Sequence, residues 1–489
     1  MSEKQFRLYD SLSRSVKPLT TLEPGHLRFY SCGPTVYSYA HIGNFRSFIT
    51  ADLVVRTALS LGWKVTWVSN ITDVGHLTED DVADAQGEDK MEKALRSKEG
   101  EQFHNVWELA EFYEDAYRDD WKQLNLLEPD VRPKATQHVR EQILAAEELI
   151  AKGYAYETDS GIYFSVEKFA EYGKLSGNTQ ENLRKAVRDV VLDEEKKDQS
   201  DFAIWKKDDK HLMQWFSPYG WGFPGWHIEC SVMARAYLGD TIDLHSGGED
   251  NKFPHHECEI AQSEALTGKP FSNHWTHTAF LQVNGQKMAK SAGNFYTVRG
   301  LVADGADPLA IRFALIGGVY RKPFNFTDQG LSDAATNLER FRRAIDAALA
   351  ASGEGADTLG EELSGLFDDA LEAMCSDLNT PVAIAKALEG ARLITREGSL
   401  NAASGASAKS FLEKVELLLG IIGPLQVAPE PTQSLPAVDE ARILAQIEAR
   451  RAAKAAKNWA EADAIRNALL EEGIVLTDNP DGTVGWSRA

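Results

Sequence analysis

The residues best equipped for chemistry lie between positions 247 and 262, in the run Gly-Gly-Glu-Asp-Asn-Lys-Phe-Pro-His-His-Glu-Cys-Glu-Ile-Ala-Gln. An apolar, strand-like piece at 241–244 precedes it. Two glycines then allow a tight turn, and Pro254 suits the first turn of a helix. Residues four apart share a helix face, so His255 and Glu259 project together. Imidazole and carboxylate are two of the donor types that zinc uses, and thiolate is the third. The chain has four cysteines. Cys230 ends Pro224-Gly225-Trp226-His227-Ile228-Glu229-Cys230, and Cys32 sits in Phe29-Tyr30-Ser31-Cys32-Gly33-Pro34. Cys32, Cys230, His255 and Glu259 therefore form a candidate site for one zinc ion per chain. Cys258, off the His255/Glu259 face, and Cys375 read as small buried apolar residues, the common fate of a free cysteine.

Two shorter patterns suit phosphate chemistry. In His41-Ile42-Gly43-Asn44 a histidine at the mouth of a strand-to-helix crossover can donate to phosphate oxygens. Gly43 permits close approach, and Asn44 adds a neutral donor. In Lys287-Met288-Ala289-Lys290-Ser291 two lysines can neutralise charge as a phosphoanhydride bond breaks. Taken singly, the first more often marks a structural histidine and the second a surface loop.

The elements needed to position these groups are readable. Residues 27–32 predict a strand ending at Cys32, and 46–61 a helix with apolar residues at helical spacing. Residues 64–73 predict a second, mostly buried strand. Strand, helix, strand implies a parallel sheet, with ligands beyond the carboxyl ends of its strands. Residues 74–98 are charged, which predicts a mobile or helical excursion. Helical patterns at 101–124 and 136–152 follow, then a hairpin at 154–164. The span 100–215 reads as an insertion between two halves of a sheet domain, 1–99 and 216–326. Residues 276–283 predict a strand, closed by an Asn284-Gly285 hairpin turn. Asp307-Pro308 opens a helix through Ile316. From 327 to 426 the pattern is all helix, with loops at 353–355 and 398–405. A proline-rich linker at 427–436 separates a last segment, 437–489, with a helix pair and a hairpin turning at Asp481-Gly482.

Bulk properties set limits. The 489 residues suffice for about three domains. No apolar run reaches the ~20 residues of a membrane span, and the first residues lack the apolar core of a secretory signal. Four scattered cysteines make no disulfide framework, which points to a reducing cytoplasm. A net charge of −22 argues against indiscriminate polyanion binding. A local basic run at 442–457, with Arg442, Arg450, Arg451, Lys454 and Lys457, still allows a nucleic-acid contact.

The order of these pieces resembles the class I aminoacyl-tRNA synthetases. His41-Ile42-Gly43-Asn44 looks like their HIGH signature and Lys287-Met288-Ala289-Lys290-Ser291 like their KMSKS signature. Further matches point to the cysteine-specific members. They include Cys32-Gly33-Pro34-Thr35-Val36-Tyr37, Asn70-Ile71-Thr72-Asp73, Gly225-Trp226-His227-Ile228-Glu229-Cys230, Phe253-Pro254-His255-His256-Glu257 and Asp377-Leu378-Asn379-Thr380-Pro381, so the likeness covers essentially the whole chain. It implies a Rossmann-like α/β catalytic domain with a connective insertion, a helical stem-contact bundle and a small α+β anticodon-binding piece. It implies activation of L-cysteine with ATP and transfer to tRNA(Cys), without an editing domain and without a membrane, by a monomer. Its zinc ligands fall on the four donors already proposed. Gly33, Thr72, Trp226 and Asp250 match the amino-acid pocket. His41, Gly43, Asn44 and Lys290 match the ATP site, with Mg2+ accompanying the nucleotide, and Lys287 joins them in catalysis. Trp459, Asp463 and Asp478 match anticodon-reading positions, where an aromatic ring can stack on an unpaired base.

This chain departs from the pattern at three places. Asn44 stands for the last signature histidine, and Ala289 for a serine of the lysine motif. An acidic stretch, 74–98, is longer than the lysine-rich one many relatives have there, and its role is open. Two other readings compete with this one. A ligase joining cysteine to an amino sugar shares the zinc site but lacks the segment beyond about 430. A catalytically silent RNA-binding paralogue has no use for the intact donor set.

Overall fold

The strand and helix signals around Cys32 and His255 converge on one parallel sheet in the computed structural model. The structure describes residues 4–75, 77–79, 86–178, 195–288, 294–396, 398–423, 440–456, 458, 461–462, 465–466, 468–469, 474–478 and 484–488. Two compact units divide it, 1–425 and 426–489.

In the first unit four parallel strands lie side by side in the order Trp275–Thr278, Leu244–Gly248, His26–Ser31, Lys64–Ser69. The first crossover runs one way from His26–Ser31 and the later strands lie on its other side. The carboxyl ends of His26–Ser31 and Leu244–Gly248 thus flank the point where strand order reverses, where such sheets open a crevice. One residue past the strand, the Cys32 N–H donates to the Ser246 carbonyl at 3.0 Å.

The crossover helix spans Ile42–Ser60, beginning four residues earlier than its apolar spacing predicts. The cause is a capping box. His41 Nδ1 accepts the Asn44 N–H at 3.1 Å, and Asn44 Oδ1 accepts the His41 N–H at 3.1 Å. Farther along, the buried Asp52 pairs with Arg312 and accepts Arg56 Nε at 2.8 Å. Both arginines also donate to carbonyls at the end of the helix Ala402–Leu419, Arg312 to Leu419 and Arg56 to Glu416. Buried charges need such completion to offset desolvation.

The charged excursion after Asp73 contains short strands, Leu77–Glu79 and Gln86–Asp89, and then the helix Lys90–Leu95. The hairpin expected at 154–164 pairs Ala155–Glu157 with Gly161–Phe164. It belongs to a five-stranded antiparallel sheet that continues through Phe202–Lys207, Gly220–Pro224 and Trp215–Ser217. Its strand Gly220–Pro224 runs through Gly225 directly into the helix Trp226–Leu238.

Two readings are corrected. The single strand expected at 276–283 is two, Trp275–Thr278 and Leu281–Val283, in different sheets. The chain turns at Ala279, whose N–H donates to the Tyr320 carbonyl and whose own carbonyl accepts the Arg46 guanidinium. Gly405, expected in a loop, lies inside Ala402–Leu419, where an added Cβ would sit 2.2 Å from the Ala351 Cβ. The glycine serves close helix packing there. The Asn284-Gly285 turn is as expected, with φ of 50° and 78° between Val283 and Gln286. The Gly285 N–H donates to Asn325 Oδ1 at 2.7 Å. Four helices, Asp328–Leu349, Gly360–Cys375, Thr380–Arg396 and Ala402–Leu419, form the bundle.

The second unit contains the helix Glu440–Ala455 and an antiparallel pair, Ile474–Asp478 with Val484–Arg488. Arg450, counted in the basic run, is buried, so it does not join a phosphate-facing surface. The expected linker at 427–436 lies outside the described residues. No helix among the described residues is long and apolar enough to cross a membrane.

Candidate active site and metal centre

Cys32, Cys230, His255 and Glu259 come together at the crevice. One donor atom from each lies within 4.8 Å of the others, and all four residues are buried. Cys32 follows the first strand. Cys230 is on the helix Trp226–Leu238, and His255 and Glu259 share one face of the helix His255–Thr267. His255 Nε2 is 3.1 Å from Glu259 Oε1 and 3.5 Å from Cys230 Sγ.

The surroundings fit a cation. His255 Nδ1 is 3.0 Å from His227 Nδ1, which leaves Nε2 turned toward the other donors, the arrangement a ligating imidazole adopts. Trp226 stacks on the His255 ring, with centroids 4.2 Å apart and planes 20° apart. Glu259 Oε2 is 2.9 Å from His245 Nε2, while the buried Oε1 makes no well-aligned hydrogen bond despite lying 3.1 Å from His255 Nε2. Burial pushes the Glu259 carboxyl above its usual range despite His245. A hydrogen bond with Cys32, burial and the nearby Glu259 push the Cys230 thiol well up. The hydrogen bond to Cys230 favours the Cys32 thiolate, but burial and Glu259 outweigh it. Two thiols and a carboxylate held this way resist ionising unless a positive ion sits among them.

Sequence reading gave no role to a second layer of imidazoles. His256 Nε2 is 3.1 Å from Cys32 Sγ, His256 Nδ1 is 2.8 Å from His277 Nε2, and His277 Nδ1 meets Ser11 Oγ at 2.7 Å. Burial holds His256 and His277 well below the usual histidine range, so both are neutral. Donor atoms of Cys32, His245, His256 and Glu259 likewise lie within 4.8 Å of one another. This set is the poorer candidate, because it takes in His245, whose Nε2 is already engaged with Glu259 Oε2. A helix-face argument from His255 could not find His256, which points a quarter-turn away.

A cleft of about 360 Å³ runs from these donors to the phosphate signature. Cys32, Cys230 and His255 line one part, and His41 and Asn44 another. Gly33, Thr72, Trp226 and Asp250 line it too. Its floor is stitched from the ends of two strands. The Gly33 N–H donates to Asn70 Oδ1 at 2.9 Å and the Thr72 N–H to the Pro34 carbonyl at 3.0 Å. A Cβ on Gly33 would come 1.7 Å from the Asn70 carbonyl oxygen, so only glycine fits. Gly43 is less tightly held, since a Cβ there would lie 2.9 Å from the His41 ring and 3.3 Å from Met288 Cε, both side-chain atoms.

Lys287 ends the short strand Gln286–Lys287, and Lys290 lies outside the described residues. Both flanks of that loop meet the signature turn. Met288 approaches Gly43, and the Phe295 ring packs edge-on against His41 with centroids 5.3 Å apart. The Ile42 N–H donates to the Tyr296 carbonyl at 3.0 Å. Trp459 and Asp463 lie outside the described residues, and Asp478 ends a strand with its backbone paired to Val484.

A parallel-sheet crevice joining a histidine signature to a lysine loop defines a class I aminoacyl-tRNA synthetase. The solved structures agree on the fold. The chain is similar to Mycobacterium tuberculosis methionyl-tRNA synthetase in complex with methionyl-adenylate, at TM-score 0.55 and 13% identity over 81% of this chain and 91% of that one. It is also similar to the LeuRS–tRNA–LeuAMS ternary complex of Agrobacterium radiobacter K84, at TM-score 0.60 and 12% identity over 82% of this chain and 84% of that one. The family described as tRNA synthetases class I (C) catalytic domain matches residues 18–336. The Salinibacter ruber cysteine–tRNA ligase is 53% identical over 100% of this chain and 99% of its own. That of Chlorobaculum tepidum is 40% identical over 98% of each. The chain belongs to the cysteine–tRNA ligase family.

Proposed function

We propose that this chain activates L-cysteine with ATP, forming cysteinyl-adenylate and pyrophosphate, and then esterifies the 3′ end of tRNA(Cys). The observation that carries this is the single cleft joining a soft-donor metal centre to the phosphate signature. Cys32, Cys230, His255 and Glu259 would hold one zinc ion, which when bound offers a coordination position to the substrate thiolate. Serine presents a harder and far less acidic hydroxyl. A site built around one strong polar contact can reject an analogue by about 10⁴–10⁵-fold, so no editing step is needed.

Trp226 walls the side-chain pocket while fixing the His255 ring. Asp250 pairs with the substrate ammonium, and Gly33 and Thr72 shape the floor. At the other end the capping box does double service. Because His41 Nδ1 accepts the Asn44 N–H, the neutral ring carries its proton on Nε2, the atom able to donate to a phosphate. Because Asn44 uses Oδ1 for the cap, its amide NH2 remains the donor toward the nucleotide. Asparagine at this signature position thus supports both the helix start and ATP binding. Lys287 and Lys290 stabilise charge at the α-phosphate and the leaving pyrophosphate, with Mg2+ accompanying the nucleotide. Catalysis is positioning and charge stabilisation. In the second unit, Trp459, Asp463 and Asp478 read the anticodon. All four cysteines are buried and none is in a disulfide, which suits a reducing cytoplasm.

Pyrophosphate exchange with ATP tests this, comparing cysteine with serine before and after chelation. The expected result is exchange with cysteine alone, lost on chelation and restored by zinc, followed by charging of tRNA(Cys). Exchange that survives chelation, or that serine supports equally, would sink the metal-selection reading.

A further inference from the structure

We propose that Lys90 binds the α-phosphate of ATP and of the adenylate, a role that rests on the synthetase reading above. Lys90 opens the helix Lys90–Leu95 in the acidic stretch and lines the same cleft as His41, Asn44 and Cys32. Its ammonium lies 5.6 Å from the centre of the Tyr37 ring. Tyr37 belongs to the loop that joins Cys32, at the metal end, to His41, at the phosphate end. A cysteine held by its thiol and a nucleotide held at the signature must meet between those two points.

The backbone on either side of Lys90 is anchored. Asp89 is buried, caps the helix by accepting the Glu92 N–H at 2.8 Å, and faces His211 Nε2 at 3.4 Å. Met91 is buried in the core. The side chain between them is therefore presented to the cleft by fixed neighbours. Among the described residues lining the cleft, Lys90 carries the one permanent positive charge, and Asp250 is the one carboxylate. A polyphosphate entering a cleft in a protein of net charge −22 needs a cation there.

In the activation step a carboxylate oxygen of cysteine bonds to the α-phosphorus. The bond from that phosphorus to the bridging oxygen breaks, and pyrophosphate leaves with the electron pair. No proton moves. Negative charge persists on the non-bridging α-oxygens throughout, and those are the atoms the ammonium meets, sharing the load with the lysine loop. The carboxylate of cysteine is the rival anion at this place, and the test separates the two.

The experiment is calorimetric binding of ATP, adenosine and cysteine to the zinc-loaded full chain and to Lys90→Met and Lys90→Arg. A charge-assisted contact predicts that Lys90→Met weakens ATP about 10–100-fold. Adenosine and cysteine should stay within about twofold, with Lys90→Arg recovering most of the ATP affinity. Weakened cysteine with unchanged ATP would assign Lys90 to the carboxylate and overturn the proposal. Parallel loss of ATP and adenosine would reduce it to a structural lysine, and no change would remove it from the site. A wild-type chain that binds no ATP would instead defeat the synthetase reading, before any variant is made.

Discussion

The two ends of the cleft are built in opposite ways. At the proposed metal end the candidate donors come from positions 32, 230, 255 and 259, carried by three separate stretches, and all are buried. A shell of imidazoles, His227, His245, His256 and His277, orients or backs them. At the end proposed to bind phosphate, the candidate groups come from four consecutive residues at the start of their own helix, and the lysine motif follows an exposed hairpin turn. The difference follows from the physics. Coordination is short-ranged and demands donors fixed before the substrate arrives. Attraction between a phosphate and a lysine falls off slowly with distance, so that end tolerates movement.

Substitution should expose the contrast most strongly at the metal end. Cys230→Ser removes one of the two thiolate donors of the proposed set. Bound zinc should fall to near zero and cysteine-dependent exchange by about 10³-fold or more, read by metal analysis alongside kinetics. If exchange persists with no metal bound, the two ends are not divided as described. His41→Ala should act on the other end only. Loss of a phosphate donor and of a helix cap predicts about a 10²–10³-fold drop in kcat/KM for ATP. Unfolding should also cost roughly 1 kcal/mol less. Metal content and cysteine affinity should hold; a fall in zinc would show that the ends are coupled.

The smallest effect expected is pH-dependent and belongs to the support of Lys90. Burial works against a charge on His211, but Asp89 outweighs it, so His211 titrates above the usual histidine value of 6.5. A raised folded value means its stabilising contribution is complete below about pH 6.5. It is lost as pH rises through the folded value. Wild type should therefore lose slightly more stability than His211→Gln across that window in denaturant titrations. Identical pH profiles would disconnect Asp89 from His211.

The same division decides what could be read from sequence. The clustering of Cys32, Cys230, His255 and Glu259 was legible because thiols are scarce and the His255/Glu259 spacing is helical, and the signature-like turn because it is contiguous. The parallel sheet followed from the strand–helix–strand order. The imidazole shell was not legible. His245 sits in a strand buried on both faces, where alternation carries no signal, and His277 lies on the neighbouring strand, brought close only by strand pairing. Lys90 was lost among charges, since nothing local distinguishes it from Lys93. The break at Ala279 was equally hidden, because the contacts that turn the chain come from Arg46 and Tyr320.

The hairpin that launches the lysine loop also bears on how this protein ages. Asn-Gly is the pair most prone to succinimide closure, in which the glycine amide nitrogen attacks the asparagine side chain. Here that nitrogen, on Gly285, is engaged by Asn325 Oδ1 at 2.7 Å. The contact that sets the turn also occupies the attacking atom. Asn284 is therefore expected to convert to an acid more slowly than in an unrestrained Asn-Gly pair, which peptide mass analysis of stored protein would read directly.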